Sequence, residues 1–145
     1  MDTATQEILA EAPEENPKPI YAVFDTETTG LFLFKDKETG QPVPADDPRQ
    51  PRMASFAVIL ADEYGNKISR AKHFIKPDGW SIDGTQAGEV NGLTDAFLEE
   101  NGVPVAEVLD LWESYVNDGL IAAAFNVQFD CKMMRAELRL SLIHI

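Results

Sequence analysis

Residues 20–30, Ile20-Tyr21-Ala22-Val23-Phe24-Asp25-Thr26-Glu27-Thr28-Thr29-Gly30, decide how the rest of the chain is read. Five nearly continuous apolar residues, Ile20–Phe24, predict a short central buried strand. The run stops at Asp25 and passes into a Thr/Gly segment, where the strand is expected to end. Asp25 and Glu27 stand two apart, and on extended backbone such side chains share a face. Two carboxylates so close repel each other unless a cation lies between them. Mg²⁺ takes hard oxygen ligands of this kind, from one or two carboxylates plus substrate phosphates. The pair therefore suggests a metal site at the carboxyl end of a central strand, where open α/β sheets place their ligands. A solvated strand end would show the same D-x-E by chance. Two features favour the site: the acids border a buried run, and Thr28-Thr29-Gly30 allows a ligand close to the backbone.

Around this segment the chain alternates strands and helices. Residues 1–19 are acidic and proline-broken and read as a disordered leader. Residues 35–52, with Gly40, four prolines and many charges, read as a long surface loop. Met53–Asp62 predicts a second strand, Glu63–Asn66 a hairpin turn, and Lys67–Lys76 a returning third strand. Thr85–Val90 predicts a short helix. Beyond Pro104, Val105, Val108, Leu109, Trp112 and Val116 recur at helical spacing up to Asp118-Gly119. Leu120–Phe125 predicts another buried strand, and Val127–Arg139 a last helix capped by Asn126. The order implies an α/β fold whose mixed sheet combines an antiparallel hairpin with a parallel crossover.

Composition narrows the function. A 44% hydrophobic, 26% charged chain of 145 residues suits one globular domain. No apolar stretch is long enough to cross a bilayer, and the N-terminus lacks the features of a signal peptide. A single cysteine, Cys131, fits a reducing compartment, so a cytoplasmic location is expected. The formal charge is −13, of which −4 falls in residues 1–19. The remaining −9 argues against gripping a long duplex, which needs many cationic phosphate contacts. It leaves room for an enzyme that holds one strand end through metal ions.

FDTETTG resembles the first motif of the DEDD exonuclease superfamily, which includes the proofreading subunits of replicative DNA polymerases. AAAFNVQFDCKMMRAEL, residues 122–138, resembles that family's second motif, HNxxFD…L..E, about a hundred residues on at a strand-to-helix junction. Asn126, Phe129 and Asp130 stand at matching positions, and Phe125 replaces the usual histidine. NGLT, residues 91–94, resembles the family's HGIT stretch without its histidine. The likeness spans roughly residues 20–138, within a partial exonuclease domain over 20–139, and implies an RNase H-like sheet flanked by helices. It implies 3′-to-5′ hydrolysis of nucleic acid, single-stranded DNA in the first place, with two Mg²⁺ or Mn²⁺ ions held by Asp25, Glu27 and Asp130. Thr28, Thr29, Asn91 and Asn126 would contact the terminal nucleotide, and a DNA polymerase becomes a candidate partner.

Asn126 and Asp130, four apart, share a helix face. By itself Asp130 is equally a first-turn acid favoured by the helix dipole. The resemblance also calls for a third motif, H-x4-D, after the second. His73 and Asp78 lie between the first two, and His73 reads as an ordinary strand residue. The chain is thus expected to stop short of that motif, leaving one sheet face partly bare. Its end, LSLIHI (140–145), reads as a non-native tail. Lys132, Arg135 and Arg139 form a basic stripe that reads most simply as a solvated helix face. Two other readings exist. A haloacid-dehalogenase-type phosphatase wants Asp where Glu27 stands and gives no reason for NVQFD. A nuclease-like binding module without catalysis would explain the two replaced histidines.

Overall fold

A computed structural model describes residues 17–143. The leader's first sixteen residues, His144 and Ile145 lie outside the described residues. Four strands form one sheet in the order β3-β2-β1-β4. β1 (Tyr21–Thr28) and β2 (Met53–Ala61) run antiparallel, as do β2 and β3 (Lys67–Phe74). β4 (Ile121–Ala123) lies parallel to β1 on its other side and pairs only with Tyr21–Val23. The mixed α/β sheet expected from the pattern is present.

β1 runs past Asp25 to Thr28, further than the apolar run alone predicts. Threonine packs well on a pleated surface, so Thr26 and Thr28 extend the strand with their side chains inward. Burial alternates along it. Ala22, Phe24, Thr26 and Thr28 are covered, while Val23 and Asp25 are exposed and Glu27 is half-buried. The covered face meets helix α3 (Val105–Asn117) and helix α4 (Val127–Ile143). Trp112 sits 4.5 Å from the Phe24 ring and edge-on to Phe56, with Val108 and Leu109 beside it. Val116 leaves the predicted stripe and is exposed, its turn of the helix lying beyond the sheet.

Two short helices, α1 (Gln86–Asn91) and α2 (Asp95–Asn101), follow the hairpin. Each is capped by a threonine hydroxyl: Thr85 accepts from Gly88 N and Thr94 from Phe97 N. Ile82, Leu93 and Leu98 pack with Ala54 in a second small core where β2 begins.

The other sheet face is open over its first two rows and covered at Ser55 and Phe74, where Phe97 and the second core pack. Residues directly opposite in register share a face, which puts Val23, Ile59 and Arg70 in one row. Asp25, Ala57 and Lys72 form the next row, then Glu27, Ser55 and Phe74. A shallow trough of about 850 Å³ runs over the first two rows and reaches Phe125. β4, expected to be buried, is an exposed three-residue edge: Ile121 is 54% exposed and Phe125 fully so. Of its apolar run, Leu120 and Ala124 pack against the main core, while Ile121 and Phe125 stay exposed. α4 continues without a break through the segment read as a tail, to Ile143.

Candidate active site

β4 ends opposite Val23, so the β1 backbone beyond it lacks a strand partner on that side. Asp130 fills the gap. Its Oδ1 accepts the Thr26 backbone N–H at 3.2 Å and the Thr26 hydroxyl at 2.6 Å. The carboxylate is 3% exposed. Burial pushes its pKa up, the two Thr26 bonds pull it down, and the charge of Asp25 pushes it up further. Asp130 and Asp25 are thus close enough to feel each other's charge across 105 residues of sequence.

What orients Asp130 is a second buried acid on the same helix face. Glu137 receives a forked pair of bonds from Arg52, Nε and Nη2 each at 3.0 Å, and the Met53 N–H at 3.0 Å. The helix is therefore pinned to β1 at Asp130 and to the start of β2 at Glu137. Asn126 accepts from Phe129 N at 3.5 Å, a long and weak cap.

Asp25 and Glu27 share the open face of β1, with no hydrogen bond or ion pair among the described residues. A register shift between Glu27 and Thr28 bends the strand just after them. The pair is a hard-oxygen donor set facing solvent, and it suits a divalent cation. Asp130 is not gathered with the pair into a cage: it spends Oδ1 on Thr26, whose side chain lies on the opposite face of β1. Among the described residues, no group of three His, Cys, Asp or Glu side chains is placed to hold a metal ion.

The residues expected to touch substrate are placed as follows. Thr28 is buried and donates its hydroxyl to Gly30 O at 2.7 Å. Thr29 Oγ1 accepts Arg52 N at 2.9 Å. Both hydroxyls therefore shape the turn after β1. Asn91 is the last residue of α1, half-buried and two residues before Leu93 of the small core. His73 sits on β3 opposite Phe56, as an ordinary strand residue. Sequence reading missed Glu137 with its partner Arg52, and also Gln50. The buried Gln50 amide binds Leu33 N at 2.8 Å, Leu33 O at 2.7 Å and Pro44 O at 3.1 Å, which orders the loop after Gly30. No local pattern announces either role, since both partners are distant in sequence.

No protein-family model matches the chain, and no curated protein matches its sequence. Solved structures do match its fold. E. coli exonuclease I in complex with a dT13 oligonucleotide superposes with a TM-score of 0.65 at 23% identity, over 85% of this chain and 24% of that one. A moderately thermophilic exonuclease I from Methylocaldum szegediense gives 0.56 at 27% identity, over 78% and 22%. The zinc-bound form of an E. coli exonuclease I complex with single-stranded DNA gives 0.63 at 23%, over 85% and 24%. A metal-free form of that complex also matches. The chain has the mixed α/β fold found in exonuclease I, and spans about a quarter of the length of these proteins. Among the described residues no helix is long and apolar enough to cross a membrane.

Proposed function

We propose that this chain is part of a divalent-metal-dependent 3′-to-5′ exonuclease acting on single-stranded nucleic acid, DNA in the first place. One observation carries the reading: Asp25 and Glu27, unpaired among the described residues, share one face of β1 in a fold shared with exonuclease I, and the buried Asp130 feels the charge of Asp25. Asp25 and Glu27 would hold a Mg²⁺ or Mn²⁺ ion, and Asp130 would act on a second. Metal ions so placed lower the pKa of a bound water and stabilise a leaving 3′-oxygen. The chain's own part is to hold oxygen ligands at the end of a rigid strand. Thr26 fixes Asp130 beside them, and the Gly30 turn keeps the backbone low enough for a strand end to approach. A role in proofreading, with a DNA polymerase as partner, follows from the motif resemblance.

A second reading, a nucleic-acid-binding module without catalysis, draws support from the two replaced histidines, at Asn91 and Phe125. Manganese titration followed by electron paramagnetic resonance separates the two. Saturable Mn²⁺ binding that disappears in Asp25→Asn/Glu27→Gln is expected of the nuclease, together with at most slow hydrolysis of labelled single-stranded DNA by this chain alone. Wild-type protein that binds no Mn²⁺, with its fold intact by circular dichroism, would remove the metal site and leave the binding module.

A further inference from the structure

The loop after Gly30 wraps back over α4 and brings two phenylalanines onto its basic stripe. Phe32, Phe34, Ala45, Lys132, Arg135 and Arg139 line a groove of about 260 Å³. The Lys132 ammonium lies 4.3 Å from the Phe34 ring centre and 5.9 Å from that of Phe32. The rings are 5.5 Å apart and tilted. Phe34 remains 61% exposed, an unusual state for a large apolar ring with a cation already on it.

The groove is built rather than incidental. Gln50 clamps the loop at Leu33, between the two rings, and Val43 N donates to Phe34 O at 2.9 Å. Arg49 ties the loop's Asp36 and Asp47 together, which spends two of its acids. Loop residues 31–52 carry four acids and four bases, so the loop itself is neutral. α4 carries only two acids, Asp130 and Glu137, and both are buried on its inner side. Its outer side presents Lys132, Arg135 and Arg139 alone, and none of the three forms a hydrogen bond or ion pair with a described residue. A chain of net charge −13 thus keeps one cation-only face beside exposed aromatic rings.

We propose that this groove binds single-stranded nucleic acid, with the three cations on phosphates and a base stacked on Phe34. Stacking platforms beside cations recognise single strands in this way. An acidic peptide would use the cations but gain little from the rings. Lys132, Arg135 and Arg139 face away from Asp130 around the helix, so the groove lies about 10–12 Å, one helix diameter, from the carboxylate edge. It is a second site, which would hold the strand whose 3′ end reaches Asp25 and Glu27. That last link rests on the nuclease reading; binding in the groove does not.

The test is fluorescence anisotropy of the full chain with a labelled oligothymidylate of about 12 nucleotides, in chelator to prevent hydrolysis. Phe34→Ala is expected to weaken binding by about 5- to 100-fold, the worth of one stacked base. Lys132→Gln/Arg135→Gln/Arg139→Gln should weaken it further and flatten the plot of log affinity against log salt by about 2, since each lost cation removes about 0.7. Glu99→Gln, at an exposed position of α2 outside both sites, should bind as wild type. Arg135→Gln and Arg139→Gln, both at exposed positions, serve singly should the triple variant fail to fold. The groove proposal is overturned by groove variants that bind as wild type, or by an abasic oligomer or polyglutamate that binds as well as oligothymidylate. It is overturned too by wild-type protein that binds no oligonucleotide. None of these outcomes touches the manganese result, on which the nuclease reading depends.

Discussion

The two faces of β1 differ in everything except their backbone. One carries Ala22, Phe24, Thr26 and Thr28 under two helices; the other carries Val23 and Asp25, both exposed, and the half-buried Glu27. On the covered face, even the polar groups are committed: Thr26 to Asp130, Thr28 to Gly30. On the open face, the carboxylates have no partner among the described residues. Stability and chemistry are thus divided between alternate residues of one strand. The period-2 geometry of extended backbone makes the division possible.

The sharpest way to break this contrast is to cut equally into both faces. Trp112→Ala removes the ring that fills the space over Phe24 and Phe56, and is expected to cost about 3–5 kcal/mol. Ile59→Thr, on a side chain already 39% exposed on the open face, should cost about 1 kcal/mol or less. Urea denaturation of the two variants measures the difference. Equal losses would mean that the open face is covered in solution.

Much of this arrangement could be read from the sequence, and the failures share a cause. β2, its turn and β3 were legible because apolar runs and the Glu63–Asn66 punctuation are local signals. Helix α3 was legible from the spacing of Val105, Val108, Leu109 and Trp112. Helix α2 was not: in Asp95–Asn101 only Leu98 is buried, too little for a period to show. β4 looked buried because LIAAAF is apolar, but burial depends on what stacks above a strand, and composition does not record that. The acids of the two motifs were visible as residue types at strand and helix ends. Their geometry was not, because the Thr26–Asp130 bond joins residues 104 apart. Nor does the sequence show that the Thr28 hydroxyl, expected near substrate, is bonded to Gly30, or that of Thr29 to the Arg52 backbone.

Glu137 tests whether the covered face also sets the position of the site. Glu137→Ala leaves Arg52 without its fork and the buried Met53 N–H without an acceptor, at an expected cost of about 3 kcal/mol. Replacing both partners by methionine should recover much of that stability, since an apolar pair leaves no stranded charge. The informative result comes from comparing Mn²⁺ affinity in the double variant with wild type. Restored stability with weakened metal binding would show that the ion pair positions α4 for the carboxylates rather than merely holding it. Unchanged metal binding would confine Glu137 to stability.

The smallest expected effect concerns Asp130, the one acid on the covered side that the proposed chemistry needs. Burial raises its pKa despite the two bonds from Thr26, with Asp25 adding to the rise. A folded-state pKa above the unfolded one means that the folded protein releases this proton at higher pH than the unfolded chain does. Ionisation therefore lowers stability. The penalty is absent below the unfolded value of about 3.9 and is fully developed above the folded pKa. Asparagine at this position can still accept from Thr26 through Oδ1 and carries no charge to desolvate. Asp130→Asn should then melt a few degrees higher than wild type at neutral pH, without added metal, and its advantage should shrink as the pH falls towards about 4 and be lost below it. Manganese should reverse the order, because only the carboxylate has an oxygen charge to offer an ion. An asparagine variant less stable than wild type at neutral pH, by a margin that acid does not change, would mean that Asp130 belongs to the covered face alone. A stability cost borne in the absence of metal and relieved in its presence is what a structural helix acid would not show.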